Sequence, residues 1–169
     1  KKVPMTDMPQ MVALYNGMGG GAAAAIAAVE LIRAQKTIAA SIIGPGAIGE
    51  LLRADIAILA ILGALIGAVA FSGSLVAWAK LDGRMRRNRV VPMQQAVNLV
   101  LFAVTIASGI WVFYSGGLLP IVLFFLLALV LGAFIAIPIG GADMPVVISL
   151  FNALTAFAVG FEGYVLGNP

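Results

Sequence analysis

Two features of the chain carry residue types that could do chemistry. The first is "YNGMGGGAAAAIAAVE", residues 15–30, where Gly17, Gly19 and Ala22 fit the G-x-G-x-x-G/A spacing and Glu30 follows. In a dinucleotide-binding turn that spacing frees backbone N–H groups for a pyrophosphate, provided the glycines sit on a solvated strand–turn–helix. The second is a pair of matching segments, "DMPQMVALYNG" at 7–17 and "DMPVVISLFNA" at 143–153, which start 136 residues apart. Each delivers an Asn, Asn16 and Asn152, nine residues after its Asp. An amide can pass hydrogen bonds along a chain of water but cannot itself titrate. Other chemistries are poorly supplied. With no Cys and no His, thiol chemistry, the usual general base and the commonest metal ligand are missing. The sequence offers no catalytic set, no P-loop and no metal cluster.

The elements that must position these residues follow from composition. Hydrophobic residues make up 62% of the 169 and charged ones 10%, with mean hydropathy +1.10. Seventeen charges cannot clothe a water-soluble surface of this size, and they cluster, leaving long apolar stretches. Five stretches, about 10–32, 56–79, 94–114, 118–137 and 146–166, each approach the roughly 20 residues a helix needs to cross a 30 Å hydrocarbon layer. None alternates apolar and polar residues as a barrel strand would. The expected fold is all-α: a polytopic transmembrane bundle in one domain, 1–169, forming part of a larger bundle. The chain also reads as a piece of something longer, since "KKVPM" opens it without an initiator Met or a signal peptide.

In this frame the glycines of residues 15–30 lie inside an apolar span. They read as a thin helix surface for close packing and not as a nucleotide cradle. Gly17, Gly20 and Gly21 join Gly63 and Gly67, in G-x-x-x-G spacing on span two, as expected packing positions. Asp7 and Asp143 read as helix N-caps, with Pro9 and Pro145 in the first turn. Nine residues at 1.5 Å each then carry Asn16 and Asn152 about 13 Å along their helices, near mid-membrane. Each amide is expected to face the bundle interior or trapped water. The matching faces are Ala13, Asn16, Gly20, Ala23 and Ala27 on span one and Ser149, Asn152, Ala156, Gly160 and Gly163 on span five. An even number of crossings separates the two spans, so they should point the same way. Either Asn alone could be packing glue; two at matched depth favour a shared polar site. Glu30 and Glu162 fall towards one set of helix ends, where interfacial solvation or capping would account for them.

Loop charge orients the bundle. The N-terminus and loop 80–92 share one side and carry seven Lys/Arg: Lys1, Lys2, Lys80, Arg84, Arg86, Arg87 and Arg89. The other side carries Arg33, Lys36 and Arg53. The positive-inside rule places the richer side in the cytoplasm and the C-terminus outside. The Arg run reads as a topology determinant in contact with acidic lipid, or alternatively as a docking point for a soluble cytoplasmic partner. Span two's connection to span one, "AQKTIAASIIGPGAIGELLRAD", breaks at Gly-Pro-Gly, with "TIAASII" as a candidate interfacial piece.

Three runs, "KKVPMTDMPQMVALYNG", "GAVAFSGSLVAWAKL" and "IGGADMPVVISLFNA", occur in an order that resembles the membrane domain (domain II) of the β subunit of proton-translocating NAD(P)+ transhydrogenases. "GGADMPVV" followed by Asn152 is the most specific part, while spans three and four match only in hydropathy. The resemblance implies a bacterial inner-membrane component that couples proton translocation to hydride transfer between NAD(H) and NADP(H). Both nucleotides would be held on separate soluble domains, with no cofactor or hydride-transfer site in this chain. It also implies further helices before "KKV", another after "GNP" and then an NADP(H)-binding domain. Partners would be the α subunit with its membrane helices, the NAD(H)- and NADP(H)-binding domains and the lipid bilayer, in a dimeric complex without nucleic acid. By residue it implies a proton pathway through Asn152, Ser74 and Asp143. Asn16 stands where several relatives have a His, so a titratable group would have to come from a partner. Two other readings of the residues stay open: a secondary transporter fragment, and a structural membrane subunit with a polar midplane site.

Overall fold

A computed structural model describes residues 7–40, 48, 52–85, 92–115 and 117–167. It contains five long helices: α1 (Met8–Ala40), α2 (Ala54–Leu81), α3 (Gln94–Ser115), α4 (Leu118–Ala136) and α5 (Met144–Val165). A 3-10 turn, Gly141–Asp143, leads into α5, and the described residues include no strand. All five are long and apolar enough to cross a membrane. The all-α class expected from composition is what the chain adopts. The first helix runs further than its apolar stretch: Thr37–Ala40, part of the candidate interfacial piece, continues α1. The remainder of that piece lies outside the described residues.

The helices alternate in direction. Late α2 meets early α1, early α2 meets late α5, and α2 and α4 finish at the same end. The starts of α1 and α5 therefore share an end, as the two D-M-P segments require. There Ala13, Ala77, Met144 and Ile148 form a small core of their own. We refer to this as the Lys80 end, and to the other as the Glu162 end.

α2 is the hub, packed against α1, α4 and α5, while α3 packs mainly on α4. Its sequence explains the role: Ala57, Ala60, Gly63, Ala64, Gly67, Ala68, Ala70, Gly73, Ser74 and Ala77 are all small and all buried. Without a hydrophobic force between helices in lipid, association rests on close backbone approach and van der Waals contact. The closest crossing is reciprocal. A Cβ at Gly67 would lie 2.8 Å from the Gly20 carbonyl oxygen, and one at Gly20 would lie 3.0 Å from that of Gly67. The α4 crossing is built the same way, since a Cβ on Gly132 would collide with Val69 backbone and Ser72. Large apolar side chains such as Phe102, Trp111, Val146 and Phe157 point outward. In water that would be a liability; in a membrane it is the lipid- or partner-facing surface.

Lys80 closes the bundle at its end. Its ammonium is buried and donates to the carbonyl oxygens of Ile137 and Ile139, just past the last turn of α4. The Ile137 carbonyl, at the C-cap, belongs to the set a helix leaves unpaired, that of Ile139 lies in the turn beyond, and a cation there also meets the negative end of the dipole.

Three outcomes test this packing. Gly67→Leu should lower the thermal midpoint of the detergent-extracted protein markedly, because the obstructing atoms are backbone and overpacking costs about 1–3 kcal/mol or more. Gly160→Ala, where a Cβ meets nothing within 4 Å, should change stability by no more than about 1 kcal/mol in the same assay. Lys80→Met should cost about 1–3 kcal/mol by stripping donors from partly buried carbonyls, seen as a lower midpoint and earlier proteolysis of the 137–143 turn.

Candidate polar site in the bundle interior

Where α1 crosses late α2, Asn16 Nδ2 donates to Ser74 Oγ at 2.9 Å. Both residues are buried, at 7% and 0% exposure. Asn16 reaches the interior because it shares a stripe with Ala13, Gly20, Ala23 and Ala27, all of them buried. Gly17 lets the helices close to the necessary distance, since a Cβ there would already be 3.2 Å from Ser74 Cβ. Gly21 makes room for the Phe71 ring in the same seam. The Asn16 carbonyl oxygen, Oδ1, has no hydrogen-bond partner among the described residues. Such an acceptor in a low-dielectric interior is costly unless something else visits it.

α5 adds a third polar group. Thr155 is 8% exposed, with its hydroxyl likewise buried and unpaired. Its methyl lies where a Cβ on Gly19, one turn along from Asn16, would make contact at 3.1 Å. Three helices thus bring Asn16, Ser74 and Thr155 into one seam. None of the three is charged; together they can hold and orient a hydrogen-bonded chain, but not store a proton.

Asn152 is elsewhere. It is exposed, as are Ser149, Ala156 and Gly160 on the same face of α5. The expectation that Asn152 turns into the bundle beside Asn16 does not hold for these five helices. The reason is rotational: α5 buries Met144, Ile148, Phe151, Thr155, Ala158 and Glu162, and Asn152 lies about 100° round from Phe151. The close packing expected of the Ser149–Gly163 face is likewise not made within the described residues, where nothing approaches Gly160.

Asp143 occupies the N-cap position of α5, with Pro in the first turn, yet its exposed side chain makes no capping hydrogen bond. Its backbone, at φ −91° and ψ −4°, is already helical and not extended as a capping residue's normally is. Arg84 lies over the Trp78 ring at 4.7 Å and pairs with Asp82. Arg86, Arg87 and Arg89 lie outside the described residues.

The glycines of residues 15–30 sit within the unbroken α1, so they form no strand–turn–helix, and a nucleotide cradle does not fit them. Gly63 and Gly67 serve different neighbours: Gly67 faces α1, and Gly63 faces the carboxyl group of Glu162. That glutamate is the largest departure from the expectation of an interfacial, solvated side chain. It is 1% exposed, and both carboxyl oxygens lack a hydrogen-bond partner among the described residues. Thr155 and Glu162 were legible only through the 4-3-4-3-4 spacing of the α5 stripe, which the Asn152 face obscures.

Comparison with known proteins places the sequence in a family. The family model described as NAD(P) transhydrogenase beta subunit matches residues 1–169. The NAD(P) transhydrogenase subunit beta of Rhodospirillum rubrum is 35% identical over 170 residues, covering 100% of this chain and 35% of the relative. The same subunit from a designated strain of that species gives the same figures. The chain therefore spans about a third of the length of these relatives. It is an integral membrane segment of five apolar helices around a buried Asn–Ser pair, and it belongs to the NAD(P) transhydrogenase beta subunit family.

Proposed function

We propose that this chain is a proton-conducting part of the membrane domain of a NAD(P) transhydrogenase. In that complex the nucleotides exchange hydride on soluble domains, and the membrane domain links the exchange to proton movement. The observation that carries the reading is the Asn16–Ser74 hydrogen bond, buried between two membrane helices with an acceptor left over. A purely structural amide would be expected to satisfy both ends, because each unmet group in hydrocarbon costs several kcal/mol. An amide and two hydroxyls left partly open along one seam suit a narrow, intermittently hydrated path.

Asn152 then belongs to the outer face of α5, where a partner membrane helix from the α subunit would cover it. Ser149, Ala156 and Gly160 on the same face would let that helix approach closely. The partner would bring a His or carboxylate as the titrating group beside the amides. Asp143, exposed at the Lys80 end, would form the cytoplasmic mouth, with Arg84, Arg86, Arg87 and Arg89 near the soluble domains. The charge distribution of the loops supports this orientation: seven Lys/Arg on that side against three on the other.

Asn16→Leu and Ser74→Ala should each reduce NADPH-driven proton movement at least about tenfold in liposomes carrying the complete complex, with nucleotide binding to the soluble domains unchanged. Unchanged pumping in both would remove the pair from the path. Asn152→Leu separately tests the partner face, and coupled pumping at the native rate would exclude it. Orientation has an independent check, because the chain has no Cys. In a complex whose other cysteines are replaced, Arg87→Cys should react with an impermeant maleimide only from the cytoplasmic side and Lys36→Cys only from outside; the reverse pattern would invert the topology.

A further inference from the structure

We infer that Glu162 is a protonated carboxyl within the membrane and the proton-holding residue at its end of the path. The inference rests on the proton-path reading above and supplies that path with a titratable group from this chain itself.

The position of the carboxyl follows from helix geometry. Cβ vectors tilt towards a helix's N-terminus, and α5 begins at the Lys80 end. From the last turn of α5 the Glu162 side chain therefore leans back into the bundle instead of out towards the nearer surface. It comes to rest on Gly63 of α2, whose missing side chain provides the space: a Cβ there would overlap Oε1. Gly63 lies nine residues into α2, about 13 Å along the axis from Ala54. A carboxylate at that depth, with no hydrogen bond and no counter-ion among the described residues, would be strongly disfavoured, whereas a protonated acid is tolerated.

The charged groups among the described residues leave it uncompensated. On α1, Glu30 is engaged with Arg33 at 2.7 Å. On α2, Asp55 pairs with Arg53 at 3.0 Å and also accepts a hydrogen bond from Tyr164 of α5 at 3.2 Å. Lys36 of α1 and Tyr114 of α3 are exposed, and α4 carries no ionisable side chain. At 1% exposure Glu162 is also closed to a partner's cation unless the seam opens. Thr155 lies on the same buried stripe, seven residues back, or about 10 Å.

The step is a proton transfer. When the α2–α5 seam admits water at the Glu162 end, the carboxyl O–H bond breaks, the proton passes to that water and a carboxylate remains. A proton arriving from the Asn16–Ser74–Thr155 side restores the acid and lets the seam close. Gly63 makes the closed position possible, and Glu162 gives the seam two states that differ by one proton.

The test is Glu162→Gln in the complete complex in liposomes, with Glu162→Asp beside it. Glutamine keeps the shape and cannot titrate. NADPH-driven proton movement should fall at least tenfold and lose its dependence on pH, while the aspartate variant should retain partial activity with a displaced pH profile. If the glutamine variant does not assemble, the displaced profile of the aspartate variant carries the same decision. Infrared spectra should show a protonated carboxylic C=O band in the native complex that the glutamine variant lacks. Native pumping with a native pH profile in the glutamine variant, an unmoved profile in the aspartate variant, or infrared spectra that do not differ in this band would overturn the inference. If Asn16→Leu and Ser74→Ala stop pumping while Glu162→Gln does not, the role of Glu162 alone is lost. If none of the three stops it, the proton-path reading itself fails.

Discussion

At Gly20 and Gly67 the backbones of α1 and α2 touch without an intervening side chain. Most of the interior follows from that approach. It sets the separation at which Asn16 can reach Ser74, and it lets Gly17 and Gly21 receive Ser74 and Phe71 in the same seam. The physical ground is the solvent. Lipid tails are as apolar as leucine, so helices in a membrane gain little from hiding apolar surface and much from fitting backbone to backbone. α2 meets that demand on several sides, and the other helices are arranged around it.

The same solvent explains why the polar groups matter. Hydrocarbon offers no hydrogen bonds, so a polar side chain inside the bundle is paired, protonated or serving a passage. Lys80 is paired, with carbonyls at the end of α4 that need donors. Among the described residues Asn16 is half-paired, Thr155 is unpaired and Glu162 is unpaired on both oxygens. All but Lys80 lie where α1, α2 and α5 meet, with the most expensive group nearest the end opposite Lys80.

α5 consequently has two contrasting faces. The inner one carries Thr155 and Glu162 among Met144, Ile148, Phe151 and Ala158. The outer one carries Asn152 with Ser149, Ala156 and Gly160. The two D-M-P segments look alike residue by residue, yet Asn16 turns inward and Asn152 outward. A local motif sets depth along a helix but not rotation about it. Rotation is decided by the whole apolar stripe, and in α5 Phe151 outweighs an Asn.

The sequence alone determined what depends on composition and on distances along the chain. Sparse, clustered charge forces a membrane bundle, apolar length sets five helices, and the parity of crossings makes α1 and α5 parallel. The buried stripe Ala13, Asn16, Gly20, Ala23 and Ala27 was equally readable from its spacing of small residues. Three matters were decided only by the tertiary structure: which face of α5 is inside, that Lys80 reaches across to α4, and that Glu162 rests on Gly63. Each depends on the relative rotation and height of two helices far apart in sequence. Those are fixed by steric fit at crossings such as Gly20–Gly67, which no pattern within one helix contains.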